Sequence, residues 1–305
     1  MKSTVPYTSL LNEYLKWMTN IRNSSEETLR TYRYYLIQFL KQFGVNSILK
    51  KIGSLSPEEV QTIFLDYSKE HGQNAHKAMK STLRTFFHFC LARGYITCDL
   101  TKAVPTLRTY RLSALPRSIE EKEAQHVLSN IDRTTDFGKR DYAIIRMLYA
   151  YGVRGGQVRK LRFDDINWEQ SKIRFPVLKH GKECILPITD DVGESLLDYL
   201  QHSRPDKPYS EVFLTAIPPY IPLHDSRILS KIIARRMRAV GIKSPTLGAH
   251  VFRHCFASRM LNQGHPLKSI ADMLGHRCIS TTFIYTKVDF QTLNQVPLEW
   301  PEERS

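Results

Sequence analysis

Acidic residues are scarce in this chain of 305: 30 Asp and Glu stand against 44 Lys and Arg, a formal charge of +14. That balance points to a polyanionic partner, nucleic acid or an anionic membrane surface, and says little about fold. Long apolar runs are also missing. No stretch of about 18 apolar residues occurs, so no transmembrane helix is predicted. The opening MKSTVPYTSLLNEYLKWMTN lacks an uninterrupted apolar core and a small-residue cleavage site, so no signal peptide is expected. Cysteine is sparse and scattered: Cys90, Cys98, Cys184, Cys255 and Cys278 are odd in number and form no CxxC. Free thiols in a reducing cytoplasm are the expectation. Internal repeats and low-complexity segments are absent. Nucleic acid becomes the leading partner.

What is present is a globular composition, 42% hydrophobic and 24% charged. Residues 1–112 read as helices. Ser24 and Glu27 have capping-box spacing ahead of Leu29, Tyr32, Leu36, Phe39 and Leu40, which recur at helical intervals up to Gly44. Ser56, Pro57 and Glu59 open another helix. A third, from about Gln73 to Arg93, stops at Gly94 and carries Lys77, Lys80 and Arg84 along one side. Leu83, Phe86, Phe87 and Cys90 supply its apolar side. Residues 1–112 hold 16 Lys and Arg against 8 Asp and Glu. This favours a helical module that clamps a phosphate backbone over a merely solvated face, with Arg30, Arg33, Lys77, Lys80 and Arg84 as candidate contacts. Pro105 and Pro116 bracket an aperiodic stretch, so a linker is placed at 113–117. Beyond it helices are predicted at 119–131, 138–151, 190–201, 226–240, 249–262 and 267–274, the first starting near Ser118. Two strand-like runs, 172–178 and 183–188, form a hairpin with Lys179 and Lys182 at its tip. The fold class is therefore mainly α with a small β-sheet (α+β), in two domains, 1–112 and 118–305.

Four stretches of the second domain could carry chemistry. YGVRGGQVRKL sets Arg154 among glycines, where backbone crowding is low, although a helix end with a dipole-compensating arginine has the same look. The hairpin tip offers Lys179 and Lys182, which also suit plain solubility. In GAHVFRH, His250 and Arg253 lie three apart on one helix face, where imidazole and guanidinium can share one phosphate. His250 and His254 have zinc-ligand spacing. However, Val251 stands where a zinc protease needs Glu, and no clear third ligand follows, because Cys255 adjoins His254. In LGHRCISTTFIYT, Gly275 ends a short helix, His276 follows, and Ser280 can cap a last helix bearing Tyr285. Tyr285 alone is equally a packing aromatic. Together, two arginines, a lysine, two histidines and a tyrosine, with no DxD carboxylate pair to hold Mg²⁺, suit phosphoryl transfer without a metal. The cations would offset charge on a pentacoordinate phosphorus while a phenol replaces water as the nucleophile.

The order of Arg154 in YGVRGGQVRKL, Lys179 in LKHGKECILPI, His250-x-x-Arg253 in HVFRHCFASRM, MLGH, and then Tyr285 nine residues after His276 resembles the tyrosine recombinase (phage integrase, Xer-type) family. The resemblance spans essentially the whole chain. It implies a SAM-like core-binding domain at 1–112 and a catalytic domain at 118–305. It casts Tyr285 as the nucleophile that forms a 3′-phosphotyrosyl link, and Arg154 with Arg253 as the grip on the non-bridging oxygens. Lys179 becomes the acid for the 5′-oxygen, with Lys182 a weaker basic neighbour. His250 assists the tyrosine, and His276 bonds the phosphate. Gln157 departs from the family's usual Glu: an amide can orient Arg154 but cannot pair its charge. The resemblance also implies double-stranded DNA with paired sites as partner and a tetramer on DNA, with the tail around Leu293, Val296, Leu298 and Trp300 packing on a neighbouring protomer. No metal, ATP or other cofactor is implied. A type IB topoisomerase shares the same residue set, and a non-catalytic DNA-binding accessory protein is the reading that only Gln157 supports.

Overall fold

The computed structural model describes residues 7–43, 48–106, 119–177, 183–243 and 247–275. Lys179, Lys182, Cys278, His276, Ser280, Tyr285, the linker at 113–117 and the tail all lie outside the described residues. The chain divides into two compact units, Met1–Ser113 and Ala114–Ser305.

The first unit is helical: α1 (Thr8–Arg22), α2 (Glu26–Leu40), α3 (Ile48–Gly53), α4 (Pro57–Glu70) and α5 (Gln73–Ala92), with 3₁₀ turns at Lys41–Phe43 and Leu100–Lys102. The α5 helix is its hub, because Phe86, Phe87 and Phe89 are all fully buried. Tyr14 of α1 meets Phe86 and Phe89 edge-on at 5.5 Å, and Phe39 of α2 meets Phe87 at 5.9 Å. Edge-to-face pairs of this kind add about 0.5–1.5 kcal/mol beyond area burial. The box at α4 forms as expected: Glu59 N donates to Ser56 Oγ at 3.2 Å and Ser56 N to Glu59 Oε2 at 2.8 Å. At α2 the cap is not Ser24. Ser25 occupies the extended N-cap position and accepts from Thr28 N, so the Ser24–Glu27 spacing is one residue out of phase with the helix start.

The second unit runs α6 (Glu121–Ser129), α7 (Asp136–Tyr151), α8 (Gly155–Arg159), β1 (Ile166–Asn167), β2 (Lys172–Phe175), β3 (Cys184–Pro187), α9 (Asp190–His202), α10 (Ser226–Ala239), α11 (Ala249–Asn262) and α12 (Leu267–Met273). The three strands form one antiparallel sheet in the order β1-β2-β3, with Phe175 opposite Cys184 and Lys172 opposite Pro187. Strand β2 stops three residues short of the predicted 178, because Pro176 has no N–H to extend a ladder. The first helix starts at Glu121 rather than near Ser118, with Glu120 N held by Glu123 Oε2 at 2.8 Å.

Helix α7 organises this unit. Ala143, Ile144, Met147, Leu148 and Tyr151 repeat at helical spacing and are buried. Its one fully buried charge, Asp141, is surrounded by arginines. Oδ1 accepts from Arg140 Nε and Nη2, while Oδ2 accepts from Arg235 Nη2 at 2.7 Å and Arg236 Nε at 2.8 Å. The carboxylate thereby ties α7 to α10, and a buried ion of this kind survives only because every lone pair is satisfied. Asp141→Ala should leave the buried Arg140 guanidinium without its carboxylate and break the tie to Arg235 and Arg236, at a cost of about 3–5 kcal/mol. A urea midpoint of the full chain that stays at the wild-type value would contradict this.

Candidate active site

Helix α11 carries apolar residues on both sides and is packed from both. Val251, Phe252 and Cys255 join the main core of the second unit, while Phe256 and Ala257 close a small cluster with Ile270 and Leu274 of the α12 region. Arg253 lies between these two packings and is only 5% exposed. A buried guanidinium needs acceptors, and it finds main-chain carbonyls. Nη1 donates to Gly152 O at 2.9 Å and Nη2 to Leu274 O at 2.6 Å.

Gly152 presents one of those carbonyls because α7 must end there. Its N–H bonds back to Leu148 O while its φ of 59° takes the left-handed conformation. A Cβ at this position would also stand 2.5 Å from the Phe256 ring. The chain then turns directly into α8, whose N-cap is Arg154. Gly155 lets α8 come this near: a Cβ there would lie 2.7 Å from Ala249 Cβ and 2.8 Å from Leu229 Cδ2. Arg154 is half-buried and its Nη2 reaches Gly275 O at 3.4 Å. The two arginines therefore grip consecutive carbonyls, Leu274 and Gly275, immediately before His276 in the chain. Among the described residues no carboxylate pairs with Arg154.

His250 lies in the first turn of α11, three residues before Arg253, and is exposed. Desolvation of its ring, then the charges of Arg253 and Arg154, hold its pKa below the ordinary imidazole value of 6.5. The imidazole is thus neutral at neutral pH and able to accept a proton. The charges of Arg154 and Arg253 both act on His250, so the three side chains lie near one another in an electropositive site. Among the described residues no group of three His, Cys, Asp or Glu could hold a metal ion.

Gln157 meets Arg154 at its backbone. It is 5% exposed and does not bond the Arg154 guanidinium. Oε1 accepts from the Arg154 backbone N–H at 3.0 Å, and Nε2 donates to Pro176 O at 3.3 Å. Two of the proposed DNA contacts also have internal partners. Lys80 Nζ donates to Thr106 Oγ1 at 2.8 Å, and Arg84 Nη2 to Val104 O at 3.2 Å. Arg30, Arg33 and Lys77 are exposed.

Comparisons with known proteins give the family. The phage integrase family matches residues 117–292, and the phage integrase N-terminal SAM-like domain matches residues 11–94. The chain belongs to the phage integrase family and is a site-specific recombinase of the tyrosine type. It is 37% identical over 291 residues to the integrase/recombinase y4rA of Sinorhizobium fredii, covering 95% of this chain and 70% of that protein. It is 27% identical over 296 residues to tyrosine recombinase XerD of Listeria innocua, covering 94% of this chain and 96% of XerD. Among solved structures, the XerH site-specific recombinase bound to a palindromic difH substrate shares the fold. The TM-score is 0.72 at 19% identity, over 94% of this chain and 83% of that one. No helix of the described residues is long and apolar enough to cross a membrane.

His254, one turn beyond His250, reports on the packing of this site. Burial first, then His250 and Arg253, push its pKa down to about 4 from 6.5. The unfolded chain binds the extra proton between those values, so this contribution to stability is whole above about pH 6.5 and is lost as pH falls toward 4. His254→Gln should flatten the fall in melting temperature between pH 7 and pH 4.5. Identical slopes for the variant and the wild type would count against a depressed His254.

Proposed function

We propose that the protein cleaves and rejoins DNA at specific sites through a 3′-phosphotyrosyl intermediate, with Tyr285 as the nucleophile. The observation that carries the reading is the convergence of Arg154, Arg253 and His250 beside the two carbonyls that precede His276. Guanidinium groups held by fixed carbonyls are preorganised donors for a phosphate's non-bridging oxygens, and they need no reorganisation as charge builds on phosphorus. His250 takes the phenolic proton as the tyrosine oxygen attacks. The P–O5′ bond breaks, and Lys179 protonates the departing 5′-oxygen. His276 adds a hydrogen bond to the phosphate, with Lys182 as a weaker neighbour. Reversal by a 5′-hydroxyl on another strand completes exchange, and neither step needs a metal ion or ATP.

In the same reading residues 1–112 form a core-binding domain for double-stranded DNA, and residues 118–305 form the catalytic domain. A lambda integrase tetramer bound to a Holliday junction shares the fold, with a TM-score of 0.68 at 18% identity over 92% of this chain and 78% of that one. It supports a tetramer assembled on paired sites here; that the tail makes the inter-protomer contact is part of the proposal and rests on the resemblance alone. Incubation with nicked cognate DNA should trap a covalent protein–DNA adduct that Tyr285→Phe abolishes, and EDTA should leave its yield unchanged. Strict metal dependence, or an adduct that persists in Tyr285→Phe, would reject the mechanism.

A further inference from the structure

The base of the β2–β3 hairpin is anchored at both strands. On β3, Tyr151 Oη donates to Pro187 O at 2.8 Å, and the Tyr151 ring meets Phe175 of β2 at 5.6 Å. On the exit of β2, Pro176 O accepts from Gln157 Nε2, and the same amide caps the Arg154 N–H through Oε1. A carboxylate could keep the second bond but not the first. Its oxygen would face the Pro176 carbonyl in a buried place, acceptor against acceptor, which carries the full cost of an unsatisfied buried group. The amide is therefore the side chain that this geometry requires.

We infer that Gln157 is a positioning residue that couples the arginine end of the site to the hairpin. Through Pro176 O it fixes the strand exit from which Lys179 follows three residues later. This rests on the reading of Lys179 as the acid for the leaving oxygen. The role is separable from Arg154, because Gln157→Glu keeps the acceptor for the Arg154 N–H and removes only the donor to the hairpin.

Leaving-group chemistry tests the inference. In cleavage the tyrosine oxygen bonds to phosphorus while the P–O5′ bond breaks and O5′ takes a proton. If sulfur replaces that bridging oxygen, a thiolate departs and needs no proton. Single-turnover cleavage would be measured on nicked duplexes carrying either bridging atom, with Lys179→Ala as the control. Gln157→Glu should cleave the ordinary phosphodiester about tenfold more slowly than wild type, or slower still, with unchanged DNA affinity. On the bridging-sulfur substrate its deficit should shrink to about twofold or less. Gln157→Met, similar in length and suited to the buried position, loses both bonds; its deficit should also shrink on the bridging-sulfur substrate but leave a remainder from the lost Arg154 cap, and it covers poor folding of the Glu variant. A deficit of equal size on both substrates, or a Gln157→Glu variant as fast as wild type on the ordinary one, would overturn the inference. Sulfur recovery in Lys179→Ala alone would leave the acid role of Lys179 intact and sink only the role of Gln157.

Discussion

The site depends on one buried guanidinium. Arg253 is charged, nearly inaccessible, and bonded to the carbonyls of Gly152 and Leu274. Burying a charge costs several kcal/mol per ion unless polar groups replace the lost water, and carbonyl dipoles do so without cancelling the charge. The consequence is structural and electrostatic together. The end of α7, the middle of α11 and the end of α12 are locked to one point, and that point stays positive. An anion is the ligand such an arrangement favours. The depressed pKa of His250 records the same field, because a second cation close to two guanidinium groups is unfavourable.

Several sequence features are strict because of this lock. Gly152 must turn left-handed against the Phe256 ring, so any side chain there would push α7 and α11 apart. Gly155 is small so that α8 can lie on Ala249 and Leu229, which sets Arg154 at the rim. Away from the site a different device joins α7 to α10: Asp141 offsets a cluster of arginines that would otherwise repel one another. The chain is strongly basic, yet among the described residues some arginines, such as Arg140, pair with a carboxylate while Arg154 faces none.

Much of this was legible in the residues. The period of apolar side chains located α7, α9, α10 and α11 to within two residues, because each buries a continuous stripe. Arg154, His250 and Arg253 were picked by spacing and order, and they do come together. Short elements escaped. Helices α3 and α8 and strand β1 are six, five and two residues long, too few to show a period. Helix α1 begins at Thr8, and its N-cap residue Tyr7 supplies no side-chain cap to mark it, although Leu10, Leu11, Tyr14 and Met18 carry the spacing. The partners of Lys80 and Arg84, and the Pro176 carbonyl that Gln157 bonds, lie far along the chain, which spacing along one helix cannot reveal. Lys179, Lys182, His276 and Tyr285 lie beyond the described residues, and their roles rest on motif order.

The central claim is that Arg154 and Arg253 are held ready to offset the charge of a scissile phosphate. Replacing one non-bridging oxygen of that phosphate by methyl removes the charge the arginines would meet. The measurement is the cleavage rate of Arg154→Ala, whose half-buried side chain can be removed with less damage than Arg253, on charged and methyl-substituted duplexes. Neutralising the phosphate should restore at least about tenfold of the cleavage the variant has lost, a differential of about 1.4 kcal/mol in transition-state stabilisation. A variant equally impaired on both duplexes would contradict the claim and leave Arg154 with a purely structural role.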